Sequence, residues 1–275
     1  MIYKKSEDEI KVLHEGGKIL ARILKTILAT IRPGVMTMDL ETMALAMIKE
    51  ADGVPAFLDY PMGDGIYFPS ALCISINEEV VHGSAVPNRE LKSGDIVDID
   101  IGMEWPVSKE KQKKMAFPIN PHSQHGGYFT DMCATVGVGK ISQEAKKLLN
   151  VTRRSLEAGI AQAKVGNRLN DIAAAIEKVV LPNYGIVRDL VGHGVGYFLH
   201  EEPDVFNYQI RPNSPENIEL KAGMVIAIEP MINVGTHRIK IAKNNYTIIT
   251  ADGSLSAHFE HTVAITQQGP LIITA

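Results

Sequence analysis

The chain has 275 residues, of which 45% are apolar and 22% are charged, and its formal net charge is -4. This composition is typical of a globular protein and excludes intrinsic disorder and collagen-like repeats. Acidic residues outnumber basic ones, 32 to 28, so the chain lacks the basic surface that general DNA binding needs and favours a small or peptide-like partner.

The N-terminal segment carries no targeting signal. It lacks the apolar core of a signal peptide, and the most apolar early stretch, 19–31, is interrupted by Arg22 and Lys25. We therefore expect a cytoplasmic protein without a membrane partner. Two cysteines, Cys73 and Cys133, cannot form a disulfide framework or a cysteine-based zinc site, which suits a reducing compartment.

Hydrophobic patterns predict helices and short strands in a repeated order. Apolar residues recur every three or four positions over 7–30, which predicts an amphipathic helix, and a second helix follows to about Glu50. Later helices are predicted at 142–163 and 168–181, and strands at 71–76, 96–101, 134–138, 225–228, 246–250 and 262–266. The order predicts an α+β fold with antiparallel sheet.

The second half of the chain repeats the first. Residues 91–100, LKSGDIVDID, align without a gap on 220–229, LKAGMVIAIE, and the same offset carries Asp131 onto Glu260. We predict two pseudo-twofold-related helix–helix–strand halves, about 6–140 and 142–275, which pack as one catalytic domain over 1–275.

The duplication should bring four carboxylates together between the halves. They are Asp100, Asp131, Glu229 and Glu260. Taken singly, each is typical of a strand-end surface group or a turn. A buried carboxylate must be paired, protonated or bound to metal, and these strands carry no matching set of Lys or Arg, so divalent cations are the partners that can neutralise all four. Asp98 shares a strand face with Asp100. Solvation near the strand end is the simpler interpretation of Asp98, and a buried Asp98 would need a partner, a proton or a metal as the others do.

A glycine-rich segment supplies one candidate nitrogen donor. His193 lies within GHGVG at 192–196, where glycines allow a tight turn that exposes the imidazole. A core or surface histidine is the simpler interpretation of His193 alone. Together with four carboxylates, it predicts a site for two ions such as Mn²⁺, Fe²⁺, Co²⁺ or Zn²⁺. Two bridged ions can activate a shared water and polarise a carbonyl, as in aminopeptidases.

Ordered motifs along nearly the whole chain resemble the type I methionine aminopeptidases. They are CISIN at 73–77, VVHG at 80–83, GDIVDID at 94–100, TD at 130–131, GHGVG at 192–196, HEEP at 200–203, IEPM at 228–231 and SAHFEHT at 256–262. The resemblance implies the pita-bread fold and a cytoplasmic monomer. It also implies an enzyme that removes the initiator methionine from nascent proteins when the second residue is small, with two divalent ions (Co, Mn, Fe or Zn).

The resemblance also implies a role for each site residue. Metal would be bound by Asp100, Asp131, His193, Glu229 and Glu260, with Asp131 and Glu260 bridging both ions. Glu229 would move protons from the bridging water. His82 would lie near the scissile amide nitrogen, and His200 would donate to the carbonyl oxygen as it becomes an oxyanion.

A methionine-selective pocket is implied at two further positions. Cys73 matches a pocket-lining position of the family, although a small buried strand residue is an equally good interpretation. Phe68 stands where the family often has a tyrosine, and Leu199 where an aromatic ring is common.

The link between Asp100 and Asp131 is longer than the tight hairpin of the family. The extra segment, about 103–127, is predicted to be a loop or a longer hairpin. Its lysine-rich stretch, 108–114, is typical of a solvated tip, and a transient contact with the ribosome is the alternative. His122 and His125 are interpreted as plain loop residues.

Two other functions remain open at this point. A proline-directed peptidase of the same superfamily would use the same five ligands, but those chains usually carry an extra N-terminal domain. A pita-bread protein without metals can act as a ribosome-associated binding module, which the intact ligand set disfavours. The short segment from His193 to Glu229 favours the bacterial type I form over type II.

Overall fold

The computed structural model of the protein describes all residues from Met1 to Ala275. The helices are α1 (Glu7–Thr30), α2 (Thr37–Glu50), α3 (Lys109–Met115), α4 (Gln143–Ile160) and α5 (Leu169–Val180). The strands are β1 (Val54–Pro55), β2 (Pro61–Gly63), β3 (Ile66–Tyr67), β4 (Leu72–Ile76), β5 (Glu79–Val81), β6 (Ile96–Trp105), β7 (Tyr128–Gly137), β8 (Gly185–Ile186), β9 (Gly192–Gly194), β10 (Glu201–Val205), β11 (Val225–Ile228), β12 (Met231–Asn233), β13 (Ile239–Ile241), β14 (Ile248–Thr250), β15 (Ser256–His258), β16 (His261–Thr266) and β17 (Gly269–Ile272).

The four predicted helices are confirmed, and local capping explains where α1 begins. The Ser6 side chain accepts from the Glu9 backbone N–H, and the Glu9 carboxylate accepts from the Ser6 N–H. This reciprocal capping box satisfies two amide groups that the first turn leaves without partners. No helix combines the length and the apolar character that a membrane crossing requires.

Each half of the chain has its own hydrophobic core. In the first half, Leu20 of α1 and Leu40 of α2 pack with Ile99 of β6. In the second half, Leu148 of α4 and Ile176 of α5 pack in a core with strand residues of β11 and β16. Each such side chain contributes about 1.5–3 kcal/mol when it is fully buried.

Antiparallel strands form the layer on which these helices pack. In the first half, β6 pairs with β1, β4 and β7. In the second half, the order is β10–β9–β11–β16–β17. The antiparallel sheet predicted from the sequence is confirmed.

The two halves meet along β7 and β16. The Thr262 hydroxyl donates to the backbone oxygen of Asp131 at 2.8 Å and accepts from its N–H at 3.2 Å. The Glu260 N–H donates to the Cys133 carbonyl at 3.2 Å. We propose on this basis that the pseudo-repeats form one catalytic domain, because the contacts that join them also hold two of the predicted site carboxylates.

The segment between Asp100 and Asp131 is a long hairpin with a helix at its tip. Strands β6 and β7 stay paired as far as Trp105 and Tyr128, and the tip contains α3, which the sequence did not predict. Ser108 accepts from the Lys111 N–H at 3.3 Å and caps this short helix.

The hairpin tip is attached to the body of the protein rather than free in solvent. The Asn120 side chain donates to the Tyr197 carbonyl at 2.9 Å, and His122 packs against the rings of Tyr3, Tyr197 and Phe198. Lys111 donates to the Ala51 carbonyl at 2.9 Å. The prediction of a solvated tip therefore holds for Lys109, Lys113 and Lys114, which are exposed, but is wrong for Lys111.

Candidate active site

A cavity of about 640 Å³ lies where the two halves meet, and every predicted site residue lines it. They are Phe68, Cys73, His82, Asp100, Asp131, His193, His200, Glu229 and Glu260. Eight of these residues lie in eight separate sequence motifs and Phe68 lies outside them, and the fold gathers all nine around one space.

Strand ends and strand register bring the charged groups together. Asp100 projects from β6, and Asp131 lies on the neighbouring strand opposite Gly102. Glu229 follows β11 directly, and Glu260 lies between β15 and β16. Because Ile228 at the end of β11 pairs with His261 at the start of β16, Glu229 and Glu260 lie together at one end of these paired strands.

His193 sits in the middle of β9, not in a tight turn as the sequence predicted. Strand β9 lies between β10 and β11, and a Cβ at Gly192 or Gly194 would collide with the backbone carbonyl of Ala227 or Glu202. The glycines are therefore needed for close strand packing, and this packing directs the imidazole into the cavity.

The distances within the cluster suit a shared cation. His193 Nε2 lies 3.3 Å from Asp131 Oδ2 and 3.5 Å from Glu229 Oε1. Ligand atoms of Asp131, His193 and Glu260 lie within 4.8 Å of one another. Asp100 Oδ1 is buried without a hydrogen-bond partner. Oxygen donors with one imidazole are a donor set that divalent first-row metals accept, so these residues fit metal ions.

Without cations, burial and crowding would force protons onto the cluster. Burial raises the pKa of Asp100 and of Glu260 well above the usual range, and neighbouring carboxylates raise both further. Burial opposes charge on His193 as well, but Asp131 and Glu229 outweigh it and raise its pKa to about 9. Metal binding would displace these protons.

These shifts predict that the metal-free protein becomes less stable as the pH rises. Asp100, Glu260 and His193 bind protons more tightly in the folded chain than in the unfolded chain. His258 does so too: burial opposes its charge, but Asp98 and Glu229 outweigh burial and raise its pKa to about 10. Folding then takes up protons, and stability falls as pH increases from 7 towards 9. We expect the Tm of chelated protein to fall by several degrees over this range, at about 2–4 °C per kcal/mol.

Thermal unfolding with and without Mn²⁺ checks this prediction. Bound cations replace the protons, so the metal-loaded protein should lose much less Tm between pH 7 and 9. An equal Tm at pH 7 and 9 for the chelated protein would contradict the assignment.

His82 and His200 lie in the cavity as neutral imidazoles. Burial, followed by repulsion from His258, lowers the pKa of His82 to about 4. Desolvation inside the cavity, followed by repulsion from His193, lowers the pKa of His200 to about 3, although its side chain reaches solvent at the cavity mouth. Both rings can therefore take part in neutral hydrogen bonds near pH 7.

Tyr60 holds the His200 ring and was missed by the sequence analysis. Its hydroxyl lies 2.7 Å from His200 Nδ1, and the His200 ring centroid is 4.4 Å from that of His193. Tyr60 lies outside the motifs of the family, so only the fold reveals this contact.

An apolar pocket adjoins the charged cluster. Phe57, Phe68, Cys73 and Leu199 form a small buried cluster, with Tyr60, Met62 and Tyr246 packed against it. The rings of Phe68 and Tyr246 meet edge to face at 5.8 Å. Burial and the nearby Asp100 raise the pKa of the Cys73 thiol well above its usual range. Cys73 therefore behaves as a small, neutral residue that fits both interpretations made from the sequence.

Two further buried residues lie next to Glu229. Asp98 is 3% exposed and its Oδ2 lies 3.4 Å from His258 Nδ1, so solvation, the simpler interpretation of this residue, is wrong. His258 is 2% exposed and also lines the cavity. Its place in the SAHFEHT motif, two residues before Glu260, is the signal in the sequence that could have identified it.

Comparison with known proteins agrees with this arrangement. The profile of metallopeptidase family M24 matches residues 11–107 and 116–267, so the match is interrupted at the helical tip of the hairpin. A methionine aminopeptidase of Clostridium acetobutylicum is 40% identical over 275 residues, covering 100% of this chain and 99% of that protein. Methionine aminopeptidase 1 of Bacillus subtilis is 40% identical over 276 residues, again with 100% and 99% coverage.

Solved structures show the same fold. The methionine aminopeptidase of Thermotoga maritima superposes with a TM-score of 0.86 at 37% identity, covering 100% of this chain and 99% of that chain. A prolidase of Pyrococcus furiosus superposes with a TM-score of 0.69 at 18% identity, covering 99% of this chain and 65% of that chain, which shows the fold alone. The chain therefore belongs to metallopeptidase family M24 and has its pita-bread fold.

Proposed function

We propose that this protein removes the N-terminal methionine from nascent or newly completed polypeptides by metal-assisted hydrolysis. The observation that carries the proposal is that one cavity is lined both by a cluster of carboxylates and imidazoles and by a buried apolar cluster. Full-length relatives named methionine aminopeptidase support this substrate.

Five residues would hold two divalent ions in this site. They are Asp100, Asp131, His193, Glu229 and Glu260. When bound, the ions would polarise the scissile carbonyl and make water a better nucleophile at neutral pH. The donor set suits Mn²⁺, Fe²⁺, Co²⁺ or Zn²⁺.

His200 would donate a hydrogen bond to the substrate carbonyl oxygen. When the Tyr60 hydroxyl donates to Nδ1 at 2.7 Å, a neutral imidazole must carry its hydrogen on Nε2. Nε2–H is then a donor for the charge that develops on the oxygen, and such donors contribute about 10²–10³-fold to turnover.

His82 would bind the substrate at its scissile nitrogen, and Glu229 would transfer the proton. The Thr247 hydroxyl donates to the His82 backbone carbonyl at 2.9 Å, which fixes this residue at the cavity wall in a left-handed conformation with φ of 59°. The neutral His82 ring would contact the scissile amide nitrogen. Glu229, 12% exposed at the cavity wall, would move a proton from water to the leaving amine.

The pocket chemistry supports methionine as the residue that is removed. Phe57, Phe68, Cys73 and Leu199 present apolar and sulfur-containing surface, which suits an unbranched thioether side chain. A free substrate amino group at the metal cluster would restrict cleavage to the first peptide bond. We also propose that the enzyme acts as a cytoplasmic monomer, consistent with two buried free cysteines.

A peptide comparison tests the proposed function. We expect metal-loaded protein to release methionine from Met-Ala-Ser at least about 100-fold faster than it cleaves Xaa-Pro peptides, because discrimination of this size needs only about 2–3 kcal/mol of differential contact. A matched peptide with a bulky second residue, Met-Leu-Ser, should be a poor substrate.

Three outcomes separate the candidate functions. Comparable turnover of Xaa-Pro peptides would favour a proline-directed peptidase of the same fold. Absence of peptidase activity together with co-sedimentation on ribosomes would favour a non-catalytic binding protein. Loss of Met-Ala-Ser cleavage on chelation, and its return with Mn²⁺, is the result that the proposal predicts.

A further inference from the structure

Asp98 and His258 form a buried pair next to Glu229, in which His258 lines the cavity and Asp98 does not. Asp98 lies on β6 two residues before Asp100, and His258 ends β15 two residues before Glu260. Both side chains are almost fully buried, at 3% and 2% exposure. Neither belongs to the five residues proposed to bind metal.

The His258 ring bridges two carboxylates. Its Nδ1 lies 3.4 Å from Asp98 Oδ2, and its Nε2 lies 3.5 Å from Glu229 Oε2. The other oxygen of Glu229 faces His193 Nε2 at 3.5 Å. Each oxygen of the Glu229 carboxylate thus faces a different imidazole.

Thr135 fixes the outer end of this chain of contacts. Its hydroxyl donates to the His258 backbone carbonyl at 2.8 Å, accepts from the His258 backbone N–H at 2.9 Å and lies 3.1 Å from Asp98 Oδ1. Asp98 and Thr135 are also register partners on β6 and β7. The sheet therefore holds Asp98, and the His258 ring lies between Asp98 Oδ2 and Glu229 Oε2. Neither ring nitrogen has a hydrogen-bond partner elsewhere, so these two carboxylates are the groups that the ring can serve.

We propose that Asp98 and His258 are positioning residues, which hold the Glu229 carboxylate so that Oε1 stays directed at the metal cluster. The proposal rests on the proposed function for the role of Glu229. A glutamate on a free side chain would rotate between ligand and non-ligand orientations, and partners behind a ligand commonly change metal affinity or activity by about 10–100-fold.

A cation bound by Asp98, Cys133 and His258 is the competing interpretation. Ligand atoms of these three residues also lie within 4.8 Å of one another. Both interpretations keep the contact between His258 Nε2 and Glu229, because a histidine that binds a cation through one ring nitrogen commonly donates to a carboxylate through the other. The number of bound ions in Cys133→Ala therefore separates them.

Substitutions at the pair test the proposal through metal affinity as well as turnover. For His258→Ala, we expect affinity for the more weakly bound Mn²⁺, measured by chelator competition, to fall about 10–100-fold. At saturating Mn²⁺, kcat for Met-Ala-Ser should fall by a similar factor while KM changes less than about threefold. His258→Gln keeps a donor amide and should recover part of both losses.

The double variant and a matched control complete the design. Asp98→Asn should lose less Mn²⁺ affinity and less kcat than His258→Ala. The double variant, Asp98→Asn with His258→Ala, should lose no more of either than His258→Ala alone, because both residues act through one contact. His14→Ala changes a histidine on α1 that does not line the cavity, and it should leave Mn²⁺ affinity unchanged.

Distinct results would overturn the proposal. One is an unchanged Mn²⁺ affinity in His258→Ala, and another is additive losses of affinity in the double variant. The third is an equal loss of affinity and kcat in His258→Gln and His258→Ala that is explained by the fraction of unfolded protein in each preparation. A third bound ion that disappears in Cys133→Ala would establish the competing interpretation. If the wild-type protein lacks peptidase activity, the proposed function fails, while the Mn²⁺ affinities still decide the positioning role.

Discussion

Asp131→Ala should lose bound metal and at least about 10³-fold of peptidase activity together. Asp131 is 2% exposed, its Oδ2 lies 3.3 Å from His193 Nε2, and its Oδ1 accepts from the Thr262 hydroxyl at 3.0 Å. If Asp131 is shared by two ions, its removal weakens both sites at once. Metal-assisted polarisation is worth several kcal/mol, and about 4 kcal/mol corresponds to the expected loss.

Metal content by mass spectrometry and kcat/KM for Met-Ala-Ser check this expectation on the same preparation. Asp39→Ala, which removes an exposed aspartate from the first turn of α2, is the control and should keep both properties. Normal turnover in Asp131→Ala would reject its ligand role. Full metal occupancy with lost turnover would reassign Asp131 to the chemical step.

His200→Ala should lower kcat by about 10²–10³-fold and leave the metal ions bound. The reason is that the residue would stabilise charge on the carbonyl oxygen without coordinating a cation. When the Tyr60 hydroxyl donates to Nδ1 across the 2.7 Å contact, the hydrogen of the neutral ring lies on Nε2, so Tyr60→Phe should cause a smaller loss in the same direction.

The measurements are kcat, KM and metal content at saturating Mn²⁺. His82→Ala should also reduce turnover with the metals retained. Loss of metal from His200→Ala would contradict the assignment of this residue to the substrate. An unchanged kcat would remove His200 from the mechanism.

Much of the fold could be predicted from short-range patterns. The apolar spacing of three and four predicted α1 with its observed bounds, and the capping box of Ser6 and Glu9 explains why it begins there. The predicted strand at 134–138 was too short at its start, because β7 begins at Tyr128. Tyr128, Phe129 and Thr130 favour a strand, but Asp131 is a residue type depleted in strands and interrupts the run. Pairing with β6 continues the strand through it.

The internal duplication made the site predictable as a group of residues. It related Asp100 and Asp131 to Glu229 and Glu260 and predicted that all four meet, and they line one cavity. The contacts around this cluster could not be predicted, because they depend on packing between distant segments. Tyr60 meets His200 across the cavity, and Asp98 meets His258 across the junction of the two halves.

Crystals grown with Mn²⁺ and measured for anomalous scattering would test the central claim most directly. The account predicts two anomalous peaks between the halves, within about 2.0–2.3 Å of ligand atoms from Asp100, Asp131, His193, Glu229 and Glu260. Peaks that avoid these five side chains, or a cavity without any peak at saturating Mn²⁺, would contradict it.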